Sequence, residues 1–412
     1  MSDRAIAEVT ARGLYDSNGR AAVEVTVVDR AGREARSMAQ RGSSVGEFEP
    51  VQVEDEGAQP RLAAVDPALR VVADRVAPAL AGVDAASVVE VDRVLRELDT
   101  TTARRSVGGN VTVATSMAAA KLGALQRGVP LHEHLRTFAS AGTPTTPLPA
   151  FNIVDGGLGP SSRVPHIEFL LFPVTGQDLR DVVEVGVRVR DRVRALCHAA
   201  GYEGADSQQG AVSAPLRSCE EGLDLLAAAL VGLGVADGFK LGLDLAASDV
   251  WRDGAYAFPW ADEPLTPAAV AERYRKWIAA YGLVYVEDGF AATETADFAA
   301  LTAEVGGEVM IAGDDLYASN RDRITEGARA RWSNTVVVKP NQAGTVTESL
   351  TAAGAARAAN SSLVVSQRSG ENEDSFLSSL AIAVNAAYVK VGGPSRMDRI
   401  MKVNELIRVL AP

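Results

Sequence analysis

The chain has little cysteine, little lysine, no excess of positive charge and no long apolar run, and each shortage excludes something. Cys197 and Cys219 are the only cysteines, both within helix-like sequence, which leaves no disulfide framework and predicts buried thiols in a reducing compartment. With 41 basic against 53 acidic residues, a formal net charge of −12, no basic stripe is available for a phosphate backbone or an anionic membrane surface. Nucleic acid and membrane are therefore not expected as partners. No stretch nears the roughly 18 apolar residues of a membrane span, and the opening MSDRAIAEV has no signal-peptide core, so a cytoplasmic location is expected.

The lysine shortage also points forward, because only six lysines stand against 35 arginines. Arginine keeps its proton in a protein, whereas a desolvated lysine can give its proton up and act as a base. Lys121, Lys276 and Lys402 fall in helical sequence and read as chance survivors. Lys240 shares strand parity with Asp244 and reads as one half of a structural ion pair. Lys339 in NTVVVKPN and Lys390 in AAYVKVGG differ, since each closes an apolar run. So do Asp244 in FKLGLDLA, Glu287 in LVYVEDG and Asp314 in VMIAGDD. A short apolar run ending in a charge reads as a buried parallel strand whose last residue looks out of the sheet. The five lie about a βα unit or a little more apart, so five neighbouring strands of a closed barrel would aim them into one mouth. Three carboxylates suit a divalent cation there, and two lysines suit proton transfer at carbon.

At 412 residues the chain accommodates a barrel of about 250 residues plus a further domain. The alternation AAVEVTVVD after the turn DSNG predicts a hairpin within residues 5–30, and helical periodicity covers 62–98 and 110–138. This gives an N-terminal α+β capping domain over 1–139 and a βα-barrel catalytic domain over 140–412. In the second, helices are predicted near 179–200, 217–232, 266–281, 320–331, 344–358, 373–387 and 395–410. His132 and His134 in LHEHL resemble half a metal site but have no partner cluster nearby, and a helix-end surface is the better reading.

Several long segments resemble the enolase family: ARGLYDSNG, the mobile-loop pattern GSSVGEFE, PAFNIVDGG, VEDGF, GDDLYASN, VVVKPNQAGTVTES, SQRSGENED and KVGGPSRMDRIMKVNELIR. The resemblance implies an α/β fold, an enolase-type βα (TIM-like) barrel with a smaller N-terminal α+β domain, Mg²⁺ dependence, and a homodimer or higher homo-oligomer. It makes Asp244, Glu287 and Asp314 ligands of a first Mg²⁺, and Ser44 a ligand of a second together with substrate phosphate. Lys339 becomes the base that takes the proton α to a carboxylate, with Lys390 supporting the enolate and Glu168 in HIEFLLFP a catalytic acidic residue. Arg368 and Ser369 become the phosphate grip. That proton is weakly acidic because its loss makes a dianion, which bound metal neutralises as it forms; enolase-superfamily sites are a standard instance of this strategy. Neighbouring cations, Lys390 and the bound metals, would lower the pKa of Lys339.

The departures are as specific as the matches. The family's acidic pair reads Ser207-Gln208-Gln209-Gly210, so the acid that helps expel hydroxide becomes Gln209, with Gln208 the alternative alignment. The lid histidine becomes Gly159, the histidine before the phosphate-gripping arginine becomes Gln367, and His166 stands two residues before Glu168 as a replacement imidazole or polar lining. Asn18 replaces the arginine of a segment that serves subunit contact. An amide cannot donate a proton as an acid does, and such help is worth about 10²- to 10⁴-fold. A small phosphorylated or phosphonylated carboxylate that is still enolised, with ordinary dehydration lost, is the resulting expectation. Divergent relatives of this kind make carboxyphosphonoenolpyruvate from a nucleotide-activated phosphonoformate and a phosphorylated three-carbon acid. A drifted phosphopyruvate hydratase and a catalytically silent binding protein are the alternatives.

Overall fold

The structure, a computed structural model, describes residues 3–42, 46–101, 103–156, 162–164, 167–202 and 205–410. The predicted hairpin is β1 (Ile6–Tyr15) paired antiparallel with β2 (Ala21–Asp29). Asp16 closes its turn by accepting N–H bonds from Asn18 and Arg20, and Gly19 takes a φ of 69° that favours glycine. A third strand, β3 (Glu34–Met38, EARSM), lacks apolar alternation and was not expected. Helical residues between 61 and 98 are broken into short pieces before Val88–Leu98, and Gly109–Arg127 is followed by Leu131–Arg136. The Gly109–Arg127 helix is buried almost all round, packed on β2 and β3.

The remaining strands are β4 (Leu148–Gly156), β5 (Glu168–Pro173), β6 (Val212–Ala214), β7 (Phe239–Asp244), β8 (Trp251–Arg252), β9 (Ala255–Tyr256), β10 (Tyr285–Glu287), β11 (Met310–Gly313), β12 (Thr335–Val338), β13 (Ser362–Ser366) and β14 (Tyr388–Lys390). Eight close a ring in the order β4-β5-β7-β10-β11-β12-β13-β14, sealed by β14 on β4, while β6 adds only to β4 and β8–β9 form a separate hairpin. Helices lie close to all seven predicted stretches, and the described residues add two more α-helices at Thr295–Val305 and Pro340–Ala343. Two corrections follow. The ring is not wholly parallel, because β5 runs antiparallel to β4 and β7; only residues 157–167 separate β4 from β5, too few for a helical crossover. The five charge-bearing strands are not all neighbours, because β13 lies between β12 and β14.

The ring encloses its own small core of Ala150, Leu170, Phe172, Tyr285, Ala312, Val337 and Val364, while the larger core lies between ring, helices and N-terminal sheet. Gly242 contributes by absence, since a Cβ there would meet the Phe172 ring at 2.7 Å. Strand residues two apart share a face. Glu168, Glu287, Asp314, Lys339 and Lys390 therefore stand one pleat beyond inward-facing Leu170, Tyr285, Ala312, Val337 and Tyr388.

The lysine reading needs revision at three positions. Lys402 is fully buried in an ion pair with Glu371 at 2.8 Å, and Lys121 reaches from the Gly109–Arg127 helix to Asp374 at 2.6 Å, so both hold the loop behind Arg368. Lys240 is exposed, with no ion pair among the described residues. His134 is also corrected: it is fully buried, not on a helix-end surface. Both cysteines are free and buried. Among the described residues no helix is long and apolar enough to cross a membrane.

Candidate active site at the barrel mouth

Asp244, Asp314, Lys339 and Lys390 line a cavity of about 510 Å³ together with Glu168, Gln209, Gln367, Arg368 and Ser369, a size within the roughly 300–1,000 Å³ typical of small-molecule sites, while Glu287 is fully buried behind its wall. Lys390 is the hub. Its Nζ donates to Glu287 Oε2 at 2.5 Å and Asp244 Oδ2 at 2.9 Å and lies 3.5 Å from Glu168 Oε2. Asp244, Glu287 and Glu168 meet there because cross-strand register sets Glu287 beside Asp244 and Asp244 beside Glu168. Glu168 joins from the first residue of β5, since an antiparallel strand presents its start where parallel strands present their ends.

Burial and then the negative field of Asp244 push the Glu287 carboxyl up to about 8, against the pull of Lys390. Burial would lower Lys390, but Asp244, Glu287 and Glu168 hold it well above the usual lysine range. Lys339, its side chain 12% exposed, pairs with Asp314, which also accepts from Gln342 Nε2 at 3.0 Å. In the metal-free protein Lys339 is held above the usual lysine value. Burial pulls its pKa down, but the Asp314 carboxylate outweighs that and the repulsion from Arg368 and Lys390.

Among the described residues one group of three acids has oxygens all within 4.8 Å of one another: Asp288, Asp314 and Asp315. Asp288 accepts the backbone N–H groups of Asp314 at 3.1 Å and Asp315 at 2.8 Å from a backbone with φ 42°. Burial, then Asp315 and Asp314, push its carboxyl well up. Of the expected metal trio, then, Asp314 sits in this tight cluster, while Asp244 and Glu287 are gathered on Lys390. The donor set nevertheless fits a hard divalent cation. It is all oxygen, it carries excess negative charge, and Glu287 Oε1 is fully buried with no hydrogen-bond partner.

The rebuilt positions form a chain. Gln367 Nε2 donates to Gln209 Oε1 at 2.6 Å, and Gln209 Nε2 donates to Glu168 Oε1 at 2.5 Å. It is thus the Gln209 side chain that faces Glu168. Arg368 Nη1 donates to Glu49 Oε1 at 2.8 Å, both side chains almost fully buried, and Ser369 lies beside it on the cavity wall. Asn18 reaches the same loop through Ser369 O at 3.3 Å. Ser44, Gly159 and His166 lie outside the described residues.

Sequence reasoning passed over Asp155, Asp288, Asp315 and Glu49, all of which line this cavity. Asp288 and Asp315 each follow a residue already singled out, and the doubled acids in VEDG and GDD were the available signal. Asp155 ends the apolar run AFNIVD as the other charges end theirs. Counting by twos from inward-facing Ala150 would point it outward, but an irregularity between Asn152 and Val154 shifts the register and sets Asp155 directly across from Glu168.

An eight-stranded barrel with a charged mouth and a small N-terminal domain defines a class of α/β enzyme. Two family descriptions match the chain: "Enolase, N-terminal domain" over residues 6–135 and "Enolase, C-terminal TIM barrel domain" over 143–411. The chain belongs to the enolase family, whose members bind small phosphorylated acids and generally depend on Mg²⁺.

Proposed function

We propose that the protein is a Mg²⁺-dependent enzyme that removes the proton α to the carboxylate of a small phosphorylated three-carbon acid and does not complete ordinary dehydration. The observation that carries this reading is the contrast across one cavity: carboxylates and lysines on one side, and the Gln367–Gln209–Glu168 amide chain on the other. Asp244, Glu287 and Asp314 would hold the ion, which when bound stabilises negative charge growing on the substrate carboxylate. Lys339, once Asp314 is engaged elsewhere, loses the anion that holds its proton and becomes the base at carbon. Lys390 keeps its proton, because three carboxylates surround it, and supplies fixed positive charge to the enolate. Arg368 and Ser369 grip the phosphate. Gln209 and Gln367, both amides, hold Glu168 as an acceptor but provide no acid.

The finer reading is phosphonoformyl transfer of the carboxyphosphonoenolpyruvate-synthase kind, by a homodimer or higher homo-oligomer: a hydroxyl oxygen of the three-carbon acid attacks the phosphorus of the nucleotide-activated phosphonoformate, the P–O bond to the nucleotide breaks, and the nucleoside monophosphate leaves as the hydroxyl gives up its proton. It is favoured over phosphopyruvate hydratase by the amide at 209 and over a silent binding protein by the retained lysines and carboxylates. The test is to incubate the protein with Mg²⁺, 2-phosphoglycerate and cytidylyl-phosphonoformate and follow phosphorus NMR. A new phosphonate ester signal with release of nucleotide supports the reading; phosphoenolpyruvate as the sole product at a hydratase rate rejects it.

A further inference from the structure

Four carboxylates stand side by side on adjacent strands of the mouth: Asp155 on β4, Glu168 on β5, Asp244 on β7 and Glu287 on β10. One ammonium serves three of them, since Lys390 contacts Glu168, Asp244 and Glu287. Asp155 has no ion pair among the described residues. Glu168 accepts from Gln209 Nε2 and lies beside Lys390. The two carboxylates face each other across a buried strand pair, where each disfavours ionisation of the other. Asn152 Nδ2 donates to Asp155 Oδ1 at 2.6 Å, and the Ser207 side chain is a second hydrogen-bond partner. The cavity wall nearby also holds a buried acceptor without a partner, Gln367 Oε1, as expected where a ligand completes the hydrogen bonding.

We propose that Asp155 is a specificity-determining residue that acts as a neutral carboxylic acid, donating a hydrogen bond to an anionic oxygen, carboxylate or phosphonate, on the transferred group of the second substrate. The carboxylates that these adjacent strands carry would repel such a group. Asp155 converts one position of the cavity wall into a donor without adding a cation that would compete with the metal ligands. The groups facing it are Glu168 from β5, Ser207 from the loop before β6, and Arg399 from the helix Met397–Leu410, with Asn152 on its own strand. Burial and then Glu168 push its carboxyl up to about 7. This places the loss of the donor, and with it of anion binding, just above neutral pH.

The inference rests on the transfer reading above, and its test separates the two. Phosphonoformate is titrated calorimetrically into the Mg²⁺-loaded protein between pH 5.5 and about 8.5, alongside deuterium exchange at the α-carbon of 2-phosphoglycerate. In the wild type, affinity should fall by up to about tenfold per pH unit above the Asp155 titration. Asp155→Asn, whose amide still donates, should bind about as tightly at pH 6 and lose this pH dependence. Asp155→Ala should bind roughly 10- to 100-fold more weakly at pH 6, the value of a hydrogen bond to a charged group. Exchange of the α-proton by the wild type shows that the enolate chemistry runs under the conditions of the titration. Superimposable wild-type and Asp155→Asn profiles overturn the proposal, as does undiminished binding by Asp155→Ala. So does a wild type that exchanges the α-proton but binds no phosphonoformate. Absence of α-exchange in the wild type instead removes the enolate reading.

Discussion

Replacing Lys390 by methionine separates the two tasks that its ammonium performs. The side chain is 5% exposed and lies 2.5 Å from Glu287, 2.9 Å from Asp244 and 3.5 Å from Glu168. Methionine preserves most of the volume and removes the charge. Without a metal ion, three buried carboxylates lose their common partner, and breaking a buried pair in this way costs about 3–5 kcal/mol. The Lys390→Met protein should therefore unfold at clearly lower urea in metal-free buffer.

The effect on Mg²⁺ should have the opposite sign. Unit charges about 4 Å apart interact by about 4 kcal/mol at an effective dielectric near 20, and the ammonium sits on two of the oxygens the ion would use. Even if withdrawal of the flexible side chain relieves most of that repulsion, its removal should tighten Mg²⁺ at least about tenfold, or about 1.4 kcal/mol. Saturating Mg²⁺ should then restore much of the lost stability, since a ligand at about 100 times its Kd adds about 2.7 kcal/mol. Calorimetric Mg²⁺ titration and urea unfolding with and without the ion give both quantities. Weaker Mg²⁺ binding by Lys390→Met would show that the lysine helps to hold the ion, and would refute the charge accounting.

Three further outcomes follow from the same geometry. Gln209→Glu places a carboxyl against Glu168, where one of the pair must stay protonated, so phosphoenolpyruvate formation from 2-phosphoglycerate should rise at least about tenfold; no rise in its ultraviolet absorbance means that position 209 is not the missing acid. Glu49→Gln removes the anion paired with Arg368, so inorganic phosphate should bind several-fold more tightly in a competition assay, and weaker binding would mean that Glu49 positions the arginine instead. Asp92, fully buried and accepting the Thr347 N–H at 2.7 Å, has its carboxyl pushed up to about 6 by burial. The folded state thus holds a proton between about pH 4 and 6 that the unfolded chain has released, and stability falls as pH rises through that window. Asp92→Asn should flatten the loss and be more stable at pH 7 by up to about 3 kcal/mol in urea titrations; lower stability at both pH 4.5 and 7 would contradict this.

What could be read from the sequence followed from strand parity. Val337 before Lys339 and Tyr285 before Glu287 are apolar interior residues one pleat below a charge, and the chain spells that out. Parity failed where the backbone departs from regularity. The irregularity between Asn152 and Val154 turns Asp155 inward, and the left-handed backbone at Asp288 aims its carboxylate at the amides of β11's end. Strand direction was also invisible, because FLLFP is equally apolar read either way, so the place of Glu168 at the start of an antiparallel strand had to come from three dimensions. The pairing of Glu49 with Arg368 spans most of the chain and left no local signal.

The central claim is that the enolate half of the site is intact and the half around Gln209 and Gln367 is rebuilt. The most direct test is to incubate the Mg²⁺-loaded protein with 2-phosphoglycerate in deuterium oxide and measure, in one sample, deuterium at the α-carbon and phosphoenolpyruvate released. Exchange should occur and disappear in Lys339→Ala, with little or no phosphoenolpyruvate. Rapid phosphoenolpyruvate formation, or no exchange at all, would contradict it.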